Sequence, residues 1–183
     1  MTLKGGSRLH AHVFVDETKQ RGLLVAAAVV LPADLAPARQ AIQRLVLPGQ
    51  RRIHFHKESD ARRRQILAAV VELGVRAVVY DATGQRNTKA ARDACLVELV
   101  ADLAKINAAR LVLERDDSTL DADRQLLFCQ VRMAGMVEPF RYYHLRAHEE
   151  ELLAIPDAVA WCWAKGGRWR ATVNQIVTDV REV

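Results

Sequence analysis

The chain opens with two apolar segments that a polar turn separates. In the extended segment HVFVDE, Val13 and Val15 fall on one face, and Asp16 falls on the other. The second segment, GLLVAAAVVLP, is apolar on both faces, as expected for a strand that is covered on both sides. Because the intervening turn ends at Gly22, the pattern predicts an antiparallel hairpin.

Helical and extended patterns alternate after this hairpin. A mostly helical insert is predicted at about 32–74, within which the short segment RRIHFHK is expected to be extended. Strand, helix, strand, helix, strand and helix follow, and a last helix is predicted at about 168–181. This order predicts a single α/β domain over residues 1–183, with flanking helices around a mixed five-stranded sheet.

Composition limits the classes of protein that fit this pattern. Half of the 183 residues are hydrophobic, yet no apolar run approaches the ~20 residues of a membrane-spanning helix. The N-terminus has no apolar secretory segment, and Cys95, Cys129 and Cys162 form no CxxC pair. We therefore expect a cytoplasmic protein with reduced thiols that associates with no membrane. The net charge of +5 permits a nucleic-acid partner without requiring one.

Three carboxylates stand at predicted strand ends or helix starts. Each has an ordinary explanation, since acids often end strands and favour helix N-termini, as Asp157 would. If the first strand neighbours the strand RLVLE, however, Asp16 and Glu114 lie side by side, and the apolar helix opened by Asp157 packs nearby. Three converging carboxylates repel one another unless cations bind them, and their oxygens suit Mg²⁺ or Mn²⁺.

The order of these elements and acids resembles the ribonuclease H-like nuclease superfamily, which has a three-layer fold. The segments FVDETK, IHFHKESDARRRQIL, LVLERDD and LLAIPDAVAW are similar to a narrower family, catalogued as domain of unknown function 3800. That family typically carries Phe-Val-Asp-Glu-Ser early and Leu-Gln-Leu-Ala-Asp late. The resemblance implies hydrolysis of phosphodiester bonds in DNA or RNA with Mg²⁺ or Mn²⁺. It implies catalytic and metal-binding roles for Asp16, Glu114 and Asp157, with Glu17 or Asp117 as a fourth metal ligand.

The match to the narrower family has departures. Thr18 stands where Ser is usual, and Ala154 and Pro156 replace Gln and Ala in the late motif. Proline is tolerated in the first turn of a helix, so the helix that carries Asp157 is expected to survive. The missing Gln removes one polar group from the site.

Two basic segments are candidate contacts for nucleic acid. His56 and Lys57 are expected to lie beside the acids and to contact phosphate. In the segment AKGGRWR, three cations lie next to an aromatic residue, an arrangement that can hold a strand by charge and stacking. These cations are Lys165, Arg168 and Arg170. An ordinary helix end capped by Gly166 explains that segment equally well.

Three functions remain open from the sequence. The leading hypothesis is a metal-dependent nuclease, and the alternative is a non-catalytic module that binds nucleic acid or protein. A zinc hydrolase using His54 and His56 is the third, although two histidines are too few for a site. Formation of a homo-oligomer is left open.

Overall fold

A mixed sheet of six strands forms the centre of the fold in the computed structural model, which describes residues 10–136 and 138–183. The strands lie across the sheet in the order β5-β4-β1-β2-β3-β6. Their bounds are β1 His12–Thr18, β2 Leu23–Val30, β3 Arg76–Ala82, β4 Arg110–Glu114, β5 Arg141–Leu145 and β6 Val177–Glu182.

The predicted hairpin is present, and it lies in the middle of the sheet. Strand β1 pairs antiparallel with β2 and parallel with β4, and Val15 lies opposite Leu113 in the parallel pair. Asp16 and Glu114 are therefore the next residues of two neighbouring parallel strands. The carboxyl ends of β1 and β4 meet at one edge of the sheet, as the sequence-based hypothesis required.

The prediction of five strands and of a last helix over 168–181 is wrong. The helix ends at Val173, and Val177–Glu182 forms a sixth strand that pairs parallel with β3. Branched residues such as Ile176 and Val180 lose side-chain freedom in a helix and favour an extended chain. The edge of β3 offers backbone partners to that extended chain.

Helices cover both faces of the sheet, which gives three layers. The helices are α1 Leu35–Leu45, α2 Asp60–Glu72, α3 Thr88–Lys105, α4 Leu120–Met133, α5 Ala154–Lys165 and α6 Gly167–Val173. Helices α1, α2, α5 and α6 share a core with Phe14 of β1, whereas α3 and α4 share the opposite core with Val13 and Val15. Among the helices of the described residues, none combines the length and the apolar character needed to cross a bilayer.

Two local features bring chain segments to the carboxyl edge of the sheet. The segment RRIHFHK is not an extended strand; it contains a short 3₁₀-helix, Phe55–Lys57, and Phe55 is fully buried there. The T-shaped contact of Phe55 with Trp161, at 5.4 Å between ring centroids, anchors this segment on α5. Pro156 lies in the first turn of α5 without interrupting the helix, as expected.

Candidate carboxylate site

The three predicted acids lie on the same face of the sheet, at one edge. Alternation along β1 places Asp16 on the face of Phe14, and alternation along β4 places Glu114 on the face of Val112. Phe14 and Val112 both belong to the core that α5 covers. Burial raises the pKa of Asp16 well above its ordinary value, and the charges of Glu114 and Asp157 raise it further. The three carboxylates therefore act electrostatically on one another.

Asp157 is held in place by the backbone of the segment that contains Phe55. It lies in the first turn of α5, and its Oδ2 accepts a hydrogen bond from the amide of Phe55 at 3.2 Å. Burial raises the pKa of Asp157 to about 6, and the charge of Glu114 raises it as well, although the Phe55 amide and Arg52 act in the opposite direction. A buried carboxyl with a raised pKa is costly for stability and is frequent at functional sites.

Arg52 supplies a positive charge to this cluster, and sequence reasoning missed it. Its Nη1 lies 3.4 Å from Oε1 of Glu114, and both side chains are about one-quarter exposed, at 26% and 25%. The neighbouring His54 has a lowered pKa, first through burial and then through the charge of Arg52. The only signal in the sequence was a pair of arginines immediately before the segment IHFHK.

The donor chemistry of the three acids fits a hard divalent cation, because carboxylate oxygens are its preferred ligands. A bound cation would also relieve the electrostatic repulsion among the three carboxylates. In the part of the chain that the structure describes, however, no group of three or more His, Cys, Asp or Glu side chains is arranged to hold a metal ion. The ligand types are thus gathered, while the side chains are not in a ligating arrangement.

Glu17 lies on the opposite face, as its position in β1 predicts, and belongs to a buried ion-pair network. It pairs with Arg92 of α3 and with Lys19, the latter at 2.9 Å. Arg92 also donates to both carboxylate oxygens of Asp123 in α4, at 2.8 and 2.7 Å. The Nε2 of His144 lies 3.6 Å from the same carboxylate. Glu17 therefore joins β1 to α3 and α4 and is not part of the acid cluster.

Asp117 is engaged by arginines on the surface. It accepts from Arg115 at 2.6 Å and from Arg146 at 2.9 Å, and its side chain is 58% exposed. It lines a cavity of about 450 Å³ at the carboxyl ends of β1 and β4, together with Asp16 and Glu114. Asp117 is thus near the acids, although its carboxylate faces the two arginines.

The predicted basic residues fall into two separate groups. His56 and Lys57 are exposed and follow Phe55, whose amide binds Asp157, so they lie beside the acid cluster. Lys165 is eight residues after Asp157 along α5, a distance of about 12 Å. It is exposed at the far end of that helix.

The two arginines of the second group have partners within the protein. Arg168 pairs with Asp60 at 3.1 Å, and Arg170 donates twice to the carbonyl of Trp163. Trp169 is only 6% exposed, and its ring packs against that of Trp161 at 5.5 Å between ring centroids. Its ring face is therefore not available to a base. Trp161 and Trp163 are also buried in the core.

The two histidines of the zinc hypothesis do not gather further ligands. The rings of His54 and His56 lie 6.1 Å apart and nearly perpendicular. Neither belongs to a metal-holding group within residues 10–136 and 138–183. The structure gives this hypothesis no support.

Comparison with known proteins supports the fold but identifies no family. No protein-family model matches the chain, and no curated protein matches it. The chain is similar in structure to RNase HII in the PCNA:RNase HII complex from Archaeoglobus fulgidus, with a TM-score of 0.52. The match covers 82% of this chain and 70% of that chain, at 13% identity. At this identity the likeness shows the fold alone, an α/β fold with a mixed sheet and flanking helices similar to that of the RNase HII.

Proposed function

We propose that the protein is a nuclease that hydrolyses phosphodiester bonds of DNA or RNA with the help of Mg²⁺ or Mn²⁺. The observation that carries this proposal is the gathering of Asp16, Glu114 and Asp157 at one sheet edge, where burial and mutual repulsion raise the pKa of two of them. The ribonuclease H-like fold supports it. The narrower family resemblance, to domain of unknown function 3800, remains part of the proposal.

Asp16, Glu114 and Asp157 would hold the cation. When bound, such an ion supplies an activated water and stabilises the charge that develops on the phosphate. The protein's own part is to position the carboxylates: β1 and β4 hold Asp16 and Glu114 side by side, and the Phe55 amide fixes Asp157. Glu17 and Asp117 are not proposed as ligands in this arrangement, because Glu17 lies on the opposite face of the sheet and the exposed carboxylate of Asp117 is held by two arginines, Arg115 and Arg146.

Nucleic acid is the proposed partner. His56 and Lys57 would contact the phosphates next to the acids, since they are exposed and border Phe55. Lys165 and Arg168 would contact the backbone farther away, at the other end of α5. Arg170 would act mainly by fixing the turn between α5 and α6, through its bonds to the Trp163 carbonyl. A cytoplasmic location is proposed on the basis of the three free cysteines.

The test is cleavage of labelled single- and double-stranded DNA and RNA with Mg²⁺ or Mn²⁺. We expect D16N to abolish cleavage and D121N, whose carboxylate is 95% exposed on α4, to leave it unchanged. Cleavage by D16N at the wild-type rate would overturn the assignment of the site.

A non-catalytic module that binds nucleic acid or a protein is the second candidate. It is favoured by the finding that no side-chain group in the described residues is arranged to hold a metal ion. Calorimetric titration with Mn²⁺ separates the two functions. A nuclease should show binding heat that D16N and D157N abolish, whereas a binding module should show none.

A further inference from the structure

Arg52 forms an ion pair with Glu114, one of the three acids of the cluster. It lies in the segment between α1 and the 3₁₀-helix, and its Nη1 is 3.4 Å from Oε1 of Glu114. The pair is partly covered, because about three-quarters of each side chain is removed from solvent. This contact joins the segment before α2 to the carboxyl end of β4.

The charge of Arg52 extends to the whole acid cluster. It lowers the pKa of Asp16 and also that of Asp157, against the stronger effects that raise them. The guanidinium of Arg52 thus places a positive charge near all three carboxylates. Because three ionised carboxylates outnumber it, Arg52 neutralises the cluster only in part.

A divalent cation at this site would need the same oxygens. Hard cations bind carboxylate oxygens directly, so a cation at Glu114 would compete for the atom that now faces Arg52. The cation and the guanidinium also repel each other in a partly covered site, where charges are screened less than in water. The cation and the Arg52 guanidinium therefore cannot both bind the Glu114 carboxylate at full strength.

We propose that Arg52 is a built-in counter-ion of the carboxylate cluster, which a divalent cation displaces from Glu114. This inference rests on the proposed function, since it takes Glu114 as a metal ligand. It also accounts for the arrangement of the carboxylates: Glu114 is turned to the guanidinium, and the three acids do not form a ligating group.

The test is Mn²⁺ binding by calorimetry at constant pH, in wild-type protein, R52Q and R52A. Removing the competing charge should tighten Mn²⁺ binding about fivefold, the effect of one partly exposed ion pair. R52K keeps the charge and should stay close to wild type. R51Q is the matched control, because Arg51 is the exposed neighbour in the same segment.

A second measurement does not depend on calorimetry. The melting temperature should rise more with Mn²⁺ in R52Q than in wild type, because tighter binding stabilises the folded state more strongly. In chelator, R52Q should melt below wild type, since the carboxylates lose their counter-ion.

The outcomes separate this inference from the proposed function. Equal or weaker Mn²⁺ binding by R52Q and R52A, with wild type binding normally, would overturn the role of Arg52 and leave the metal site standing. Failure of all variants and of wild type to bind Mn²⁺ would overturn both. Binding by R52Q alone would support both.

Discussion

The carboxylate of Asp123 should be a major source of stability, and its removal gives a sharp test of the buried network. Asp123 is 3% exposed, and Arg92 donates to both of its oxygens. Burial is the largest single effect and acts to raise the pKa of Asp123, but the hydrogen bonds and electrostatic attraction of Arg92 and His144 together outweigh it and lower the pKa to about 2. The folded state therefore favours the ionised carboxylate.

The size of the effect follows from this pKa. One pKa unit corresponds to about 1.4 kcal/mol, so lowering the value from 3.8 to about 2 contributes about 2.5 kcal/mol to the free energy of unfolding at pH 7. Because the folded pKa is depressed, this contribution is fully present above about pH 4 and is lost as the pH falls towards 2. The substitution D123N should remove it and leave Arg92 paired with Glu17 alone.

Urea unfolding between pH 7 and pH 3 measures this directly. D123N should lose about 2–3 kcal/mol at pH 7, and the difference from wild type should shrink to about half by pH 3. D121N is the matched control on the same helix, with a carboxylate that is 95% exposed, and it should change stability little. A loss of the same size at both pH values would show that the charge of Asp123 is not what stabilises the network.

Two further predictions concern the candidate site and the nucleic-acid surface. In chelating buffer at pH 8, D157N should be more stable than wild type by up to about 3 kcal/mol, because the raised pKa of Asp157, about 6, makes its ionisation unfavourable in the folded state. The free energy of unfolding of wild type should fall by this amount as the pH rises from about 4 to 6. If urea unfolding shows no gain in stability for D157N, the raised pKa of Asp157 is contradicted. K57Q should weaken binding of labelled nucleic acid and reduce the slope of log affinity against log salt by about one, measured by filter binding. K89Q is its control, because Lys89 is exposed on α3, on the other face of the sheet, and an equal effect of both substitutions would contradict a specific role for Lys57.

The features that sequence reasoning predicted are those with a local pattern. The alternation of HVFVDE and the apolar run after Gly22 specified the hairpin, and the period of two placed Asp16 and Glu17 on opposite faces. The alternation of strands and helices from β3 to α5 also followed from local patterns. These predictions needed no knowledge of distant partners.

The features that it missed depend on partners far along the chain. Strand β6 exists because β3 has an edge to pair with, which the local sequence does not show. Arg52 meets Glu114 across 62 positions, and Glu17 meets Arg92 across 75. Charged residues at such separations have no spacing signal, since the sheet order decides which of them meet.

The two adjacent acids of β1 have opposite effects on the fold. Asp16 is ionised only at a cost, because it is buried beside Glu114 and Asp157. Glu17, one residue later, is turned to Arg92 and ties β1 to α3. A strand that carries a destabilising carboxylate on one face thus has a stabilising ion pair on the other. Such a local conflict is expected where a site binds something, since the repulsion that weakens the fold is the same interaction that a cation relieves. We therefore propose that Asp16 serves binding, whereas the ion pair of Glu17 with Arg92 stabilises the fold.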